Sequence, residues 1–466
     1  MIEKLPRPSP PALPSSYFWT WDHSTNWMLD DPGMQTIGCY NPYLKRPETF
    51  LTDYQRLIDF AVALGVKGIV VWGFLRDAHG GIDAARRVAE YAAAKGIAIM
   101  PGIGTTDYGG VYYEGEHPYN LACFLRRYPE ARMIDAEGRR KPNGICPTDP
   151  AFQDWIAEGM QWLFREFPLG GVNLENGDFL TCCCPRCRAR IAEWPTADPA
   201  FFIAQALGVL PALHAIAGEM GQKLITWATY TGFLPGTPNN PVGEGSMQCD
   251  RPAIVDLAPE RAITQWTLTN MVGWSGGDPA RASLATYLDD GAPEAVLATA
   301  RWPREVRPPS HRSVGFLHQG SQWTGNRYEM VISTIKEGCL RAHRAGLEGV
   351  TIHGEVTNRF IPWALNYLAF SHFIHWPEDS LRAFGRITLG PVLGSAENGE
   401  LFLELLAAAE NNTLTQPQRD ELWQRGQAAA SNAIWPPDAQ LEPWRFWNWL
   451  YLTAGKPEQR AVDNLL

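Results

Sequence analysis

Eight short apolar runs recur along the chain, and most are followed by a helical pattern. They are "YFWTWD" (17–22), "VKGIVVWG" (66–73), "GIAIMPG" (96–102), "GGVNLEN" (170–176), "KLITWAT" (223–229), "RAITQWTL" (261–268), "SVGFLHQ" (313–319) and "GVTIHGE" (349–355). The spacers carry helix signatures of their own. Leu57, Phe60, Ala61 and Leu64 follow the i, i+3, i+4, i+7 rule. Asp149-Pro150 and Asp198-Pro199 each read as an N-cap followed by proline at the first helical position. "GIDAARRVAEYAAAKG" ends on Gly96, a helix-stop residue. Strand-like runs alternating with helices indicate parallel βα units, an α/β architecture. Eight such units predict a closed (β/α)8 TIM barrel with long βα loops. An open doubly wound sheet is the alternative, but no Gly-rich dinucleotide fingerprint or Walker A motif follows the early runs.

The expected organisation has three parts. Residues 1–16 form a Pro-rich N-terminal arm, residues 17–378 the barrel, and residues 379–466 a helical C-terminal extension. In the extension no strand pattern returns, and "ENGELFLELLAAAENN" and "EPWRFWNWLYLTAG" read as helices. With 45% hydrophobic and 19% charged residues, the 466-residue chain can build a large core. A formal net charge of −10 disfavours nucleic acid as the partner. No run of about 20 apolar residues is present to span a membrane. "MIEKLPRPSPPALPSS" lacks the apolar core of a signal peptide. The expectation is therefore a cytoplasmic protein, or a periplasmic or secreted one if a signal has been removed.

Side chains on a strand alternate between faces. In 172–175, Val172 and Leu174 suit the helix side, so Asn173 and Glu175 point inward, with Glu175 at the C-terminal mouth. In 350–355, Val350 and Ile352 suit the helix side, leaving Thr351, His353 and Glu355 inward. In 19–22, Trp19 and Trp21 alternate with Thr20 and Asp22, and Asp22 is assigned to the same mouth. Barrel enzymes carry their chemistry at that end. Carboxylates facing each other across a sugar-sized gap are what glycoside hydrolysis requires. Aromatic walls would desolvate Glu175 and favour its protonated form, as a general acid needs. Glu355 or Asp22 is then its ionised partner, with an Asp22–His117 pair and Asp178 as further candidates.

Aromatic residues are abundant, with 19 Trp, 15 Tyr and 19 Phe. Many tryptophans stand beside polar residues at the ends of apolar runs, where flat rings suit the apolar faces of sugars. Core packing is the competing explanation. The candidate binding residues are Trp21, His23, Trp72, Arg76, Tyr108, Asn173, Trp227, Trp266, His318, Trp323, His353, Asn358 and Arg359. Arg76 and Arg359 could clamp a sugar carboxylate, or pair with the mouth acids instead.

Cys182, Cys184 and Cys187 have tight thiolate spacing, with Cys183 between them. They are candidate ligands of a structural zinc, which would need a fourth ligand from elsewhere. Reduced thiols or a local disulfide are the alternatives. Nine cysteines, five of them scattered, do not make a secreted-type disulfide framework.

The stretch "ICPTDPAFQDWIAEGMQWLFREFPLGGVNLENGDFLTCCCPRC" resembles a pattern in bacterial (β/α)8 glycoside hydrolases. In these a "CP(S/T)xP" segment opens the helix before the fourth strand, an acid follows that strand, and a CxCxxC comes next. "GEVTNRFIPWALNYLAFSHFIHWPEDS" is similar to the final βα unit of such enzymes. Related barrels include α-glucuronidases and β-hexosaminidases. The resemblance implies that Glu175 and Asp178 are functional. Hexosaminidases carry adjacent Asp-Glu at that site, whereas here Asn176-Gly177 separates the acids.

The expected function is an exo-acting glycoside hydrolase needing no cofactor for catalysis, its substrate a small carbohydrate or glycan, with a uronic or sialic acid glycoside as the specific candidate. A non-catalytic carbohydrate-binding barrel is one alternative. A metal-dependent barrel lyase or isomerase using His23, His117, His318 or His353 is the other.

Overall fold

The structure is a computed structural model. It describes residues 10–22, 46–175, 182–193, 210–214, 216, 224–232, 259–260, 262–269, 284–288, 312–318, 330–354, 361–431 and 441–455. The strands are β1 (Tyr17–Trp21), β2 (Gly68–Trp72), β3 (Ala98–Gly104), β4 (Arg132–Ile134), β5 (Arg140–Ile145), β6 (Gly171–Glu175), β7 (Leu224–Gly232), β8 (Ala262–Thr269), β9 (Ser313–His318) and β10 (Gly349–His353). β4 and β5 form a separate antiparallel hairpin within the connection after β3. The other eight pair in parallel in the order β1-β10-β9-β8-β7-β6-β3-β2, and β2 pairs with β1 to close a barrel. Each of the eight apolar runs overlaps one of these strands.

The helices that follow in chain order are α1 (Pro47–Leu64), α2 (Gly81–Ala94), α3 (Leu121–Arg127), α4 (Pro150–Glu166), α5 (Pro185–Ala192), α6 (Leu284–Leu288), α7 (Ile332–Arg344) and α8 (Ile361–His375). α4 begins as its sequence directs: the Asp149 side chain accepts from the Ala151 amide, with Pro150 in the first turn. The second such pair, Asp198-Pro199, lies outside the described residues, as does most of the chain between β7 and β8.

The period-two alternation sorts the strand side chains into two cores. Phe18, Ile69, Val71, Ile99, Ile103, Val172, Leu174, Val350 and Ile352 pack outward against the helices. Tyr17, Trp19, Trp21, Val70, Trp72, Met100, Ile263, Val314 and Phe316 fill the barrel interior. Trp72 needs special room there. Its indole occupies the space that a Cβ on Gly102 of the neighbouring strand would take, so β3 carries glycine at that position.

The described part of the N-terminal arm is laced to the rest of the chain. The Leu13 amide donates to the Ile374 carbonyl and the Ser15 amide to Glu348, while Ser16 Oγ accepts from the Val350 amide. α8 is buried along nearly its whole length, with Trp363, Leu365, Leu368, Phe370 and Phe373 all inaccessible. A helix apolar all round needs cover on both sides. The barrel supplies one side, and the C-terminal helices α9 (Leu381–Phe384), α10 (Gly390–Leu393), α11 (Ala396–Glu410), α12 (Gln416–Ser431) and α13 (Pro443–Gly455) join the same core. Phe384 packs on Phe373 at 5.8 Å, and His372 Nδ1 meets Thr388 Oγ1 at 2.9 Å. Among the described residues no helix is long and apolar enough to cross a membrane.

Gly102→Val should lower the thermal midpoint, because the added side chain must displace Trp72; overpacking of this kind costs about 1–3 kcal/mol. Thermal denaturation followed by circular dichroism checks this. An unchanged midpoint would mean that Trp72 does not lie across β3.

Candidate active site

A chain of buried polar side chains crosses the barrel interior. Asn173 Oδ1 accepts from Trp72 Nε1 at 3.2 Å and from Trp19 Nε1 at 3.4 Å. Asn173 Nδ2 donates to Gln265 Oε1 at 3.1 Å, and Gln265 Nε2 donates to Thr351 Oγ1 at 3.2 Å. The chain joins β1, β2, β6, β8 and β10, and its Asn, Gln and Thr members are essentially inaccessible. A buried amide without partners would cost about 1–3 kcal/mol, so a network this complete fixes every rotamer in it.

Glu175 is the next residue on the inward face of β6 and the last of the strand, at its C-terminal end. It is 2% exposed. Its backbone is held from β3: Gly104 is its register partner, and the Thr105 amide donates to the Glu175 carbonyl at 2.7 Å. β6 stands four places from β10 in the closed strand order, directly across the barrel. His353, the last residue of β10, is buried against Trp19 at 4.4 Å and Phe316 at 5.9 Å.

The wall above β1 and β2 is aromatic. Trp21 and Trp72 lie 5.6 Å apart, and Tyr108 packs on them at 6.4 and 5.7 Å. Tyr113 meets Trp21 at 6.1 Å. Both tyrosines come from the connection after β3. Tyr108 adopts a left-handed backbone (φ 55°) and is followed by Gly109 and Gly110, each at φ 79°. Three such residues in succession turn the chain sharply over the end of β3, and the Asp107 carboxylate caps the Tyr108 amide at 2.8 Å. A tyrosine held at positive φ is costly, and strain of this kind gathers at functional sites.

Asp22 corrects the sequence reading. Trp19 and Trp21 take the interior, and Asp22, one residue past the end of β1, is engaged by protein partners instead of standing as a free acid at the mouth. It is fully buried, accepts from Arg76 Nε at 2.8 Å and lies 3.6 Å from His79 Nε2. His79 stacks on Phe50 of α1 at 3.8 Å and 6°, and hydrogen-bonds to the Gly73 carbonyl. Arg76 also pairs with Glu114 and packs over the Tyr113 ring at 4.9 Å. Its guanidinium is committed to protein acids, the pairing reading rather than the sugar clamp.

His117 is likewise on the outer wall. It stacks on Tyr112 at 4.4 Å and meets Trp162 of α4 at 4.5 Å, which removes the Asp22–His117 pair. Adjacent Tyr112 and Tyr113 divide between the outer and inner cores, so one step along the loop separates structure from site. His23, Asp178, Trp323, Glu355, Asn358 and Arg359 lie outside the described residues, and the side chains of Trp227, Trp266 and His318 do as well. Gln265 is a site residue absent from the sequence candidates, although alternation with Ile263 in "RAITQWTL" marks it as inward.

Away from the mouth, Cys182, Cys184 and Cys187 gather with a fourth cysteine, Cys146, at the end of the hairpin. All four are buried, and they pack with Met133 in a small core of their own. Nothing in local spacing connects Cys146, within "ICPTDP", to a cluster 36 positions further on.

No protein-family model matches the chain, and no curated protein matches it. Solved structures with a similar fold include a β-N-acetylhexosaminidase from Bacteroides fragilis (13% identity, TM-score 0.42, covering 77% of this chain and 65% of that one). A chitobiase from Flavobacterium johnsoniae gives 11% identity and a TM-score of 0.43, covering 86% of this chain and 54% of the other. An α-L-fucosidase from Paenibacillus thiaminolyticus gives 12% and 0.42, covering 77% and 49%. The chain thus spans less than two thirds of the length of each.

His79 should make the fold acid-sensitive. Burial pushes its pKa below the ordinary histidine value, partly opposed by Asp22. The fold therefore favours neutral His79. That stability is fully present above the unfolded pKa of about 6.5 and is lost as pH falls toward the folded pKa. His372 and His375 shift the same way, burial again being the largest cause. The thermal midpoint should fall between pH 7.5 and 5.5, and His79→Gln should make that fall shallower. An identical slope in the variant would show that His79 is not one of the groups responsible.

Proposed function

We propose that the protein is a (β/α)8 glycoside hydrolase whose general acid is Glu175. The observation that carries this is a buried carboxylate on the inward face at the C-terminal end of a barrel strand, beside a wall built from Trp21, Trp72, Tyr108 and Tyr113. Barrel enzymes place their reacting groups at this end. Aromatic faces suit the C–H surfaces of a sugar, and a carboxyl group can protonate the departing glycosidic oxygen. Asn173, two residues earlier on the same face, is held by Trp19, Trp72 and Gln265 and fixes the approach to Glu175.

The partner carboxylate in this reading is Glu355. In the sequence it lies two positions beyond His353, the last residue of β10, and β10 stands directly across the barrel from β6; Glu355 itself lies outside the described residues. It would activate water or attack the anomeric carbon, according to its separation from Glu175. Exo action is supported by Tyr108 and Tyr113, which close the β1–β2 side of the mouth and favour a chain end over an internal sugar. With Arg76 committed to Asp22 and Glu114, selectivity for an acidic sugar rests on Arg359.

Glu175→Gln keeps the shape of the side chain and removes its proton. On an aryl glycoside with a poor leaving group, kcat should fall by about 10²–10⁴-fold with the circular dichroism spectrum unchanged. An activated leaving group, which needs no protonation, should lose far less. Near wild-type turnover of the poor substrate would reject the assignment and make Asp178 the next acid to replace.

A further inference from the structure

The cysteine cluster belongs to neither the mouth nor the proposed hydrolysis, and its geometry is that of a binding site. The Sγ atoms of Cys146, Cys182, Cys184 and Cys187 all lie within 4.8 Å of one another. Cys146 Sγ stands 3.7 Å from Cys184 Sγ and 3.7 Å from Cys187 Sγ. Four thiolates held tetrahedrally at 2.3 Å from a zinc ion are about 3.8 Å apart. A disulfide would need two of these sulfurs at about 2.0 Å and would leave the other pair buried without use.

The surroundings suit an anionic sulfur set. The Ile134 amide donates to Cys182 Sγ at 3.5 Å and the Cys187 amide to Cys184 Sγ at 3.4 Å. Thr148 Oγ1 lies 3.3 Å from Cys146 Sγ and 3.2 Å from Cys187 Sγ. Cys184 is the N-cap of α5, so the positive end of that helix faces the sulfurs. Arg186 in the first turn of α5 adds a guanidinium, itself paired with Asp149 at 2.9 Å. Outer contacts of this kind orient metal-bound thiolates and temper their charge.

We infer that Cys146, Cys182, Cys184 and Cys187 form a tetrathiolate site for one zinc ion, which joins the β4–β5 hairpin to the segment after β6. Four protein ligands leave no open position, so the ion is structural and takes no part in turnover. The backbone already runs this way: the Cys183 amide donates to the Ile134 carbonyl at 2.7 Å. The metal would fix that contact from both sides. The β4–β5 hairpin and the start of α5 would then move as one piece.

Elemental analysis of the full chain purified without chelator should find one zinc per molecule. Cys146→Ser should lose most of that zinc and lower the thermal midpoint, whereas Cys183→Ser, in the same segment but outside the cluster, should keep both. If Cys146→Ser does not fold, cobalt exchange into the wild-type protein decides the matter: its sulfur-to-cobalt charge-transfer band should have the intensity of four thiolates. Metal-free protein, iron in place of zinc, full zinc in Cys146→Ser, or a cobalt spectrum of fewer thiolates would each overturn the inference. Zinc-loaded protein that hydrolyses no glycoside would sink the reading of Glu175 and leave this one standing.

Discussion

Two indole N–H groups converge on one amide oxygen at the centre of the barrel. Trp19 and Trp72, from adjacent strands, both donate to Asn173 of β6, two strands on from β2. A barrel interior is ordinarily filled by branched aliphatic side chains that pack without direction. Here Trp19 and Trp72 fill part of it with large rings that each carry an indole donor, and a buried donor needs an acceptor. Asn173 supplies it and passes the demand on through Gln265 to Thr351. The rings can sit in one way only, so β1, β2 and β6 are held in a single relative position.

The mouth inherits that order. Trp72 takes the space above Gly102, and Tyr108 stacks on Trp72 at 5.7 Å. Gly104, where the β3 chain begins to turn over toward Tyr108, is also the register partner of Glu175. The acid is therefore set on a strand rather than a flexible loop, and its neighbours are fixed by packing in both directions. Sites built on rigid elements hold their geometry better than those carried on loops.

The strands and the outward apolar faces were legible because both rest on local rules, period-two alternation and helix-capping chemistry. β6 and β10 followed them residue by residue: Val172, Leu174, Val350 and Ile352 face the helices. β1 did not, because its alternating partners were Trp and Thr rather than Leu and Asn. Polarity alone assigns Thr20 and Asp22 inward, whereas volume decides the matter: a barrel interior needs filling, and two tryptophans fill it. Asp22 then found its counter-charge in Arg76, 54 positions away, a pairing no local pattern encodes. Cys146 and His117 illustrate the same limit, since the partners of each are set by how a long connection folds back.

That connection explains why a second anchor outside the barrel is useful. Between β3 and α4 the chain must place Tyr108 and Tyr113 inward while keeping Tyr112 and His117 outward against Trp162. Much of this connection packs into the main core through Val111, Leu121, Phe124, Leu125 and Ile145, whereas the hairpin end has a small core of its own, the four sulfurs with Met133 and, at its edge, Ile134. The tyrosine wall thus depends on contacts made at both ends of the connection: the strained turn at Tyr108 on the barrel side, and the hairpin with its cluster of cysteines on the other.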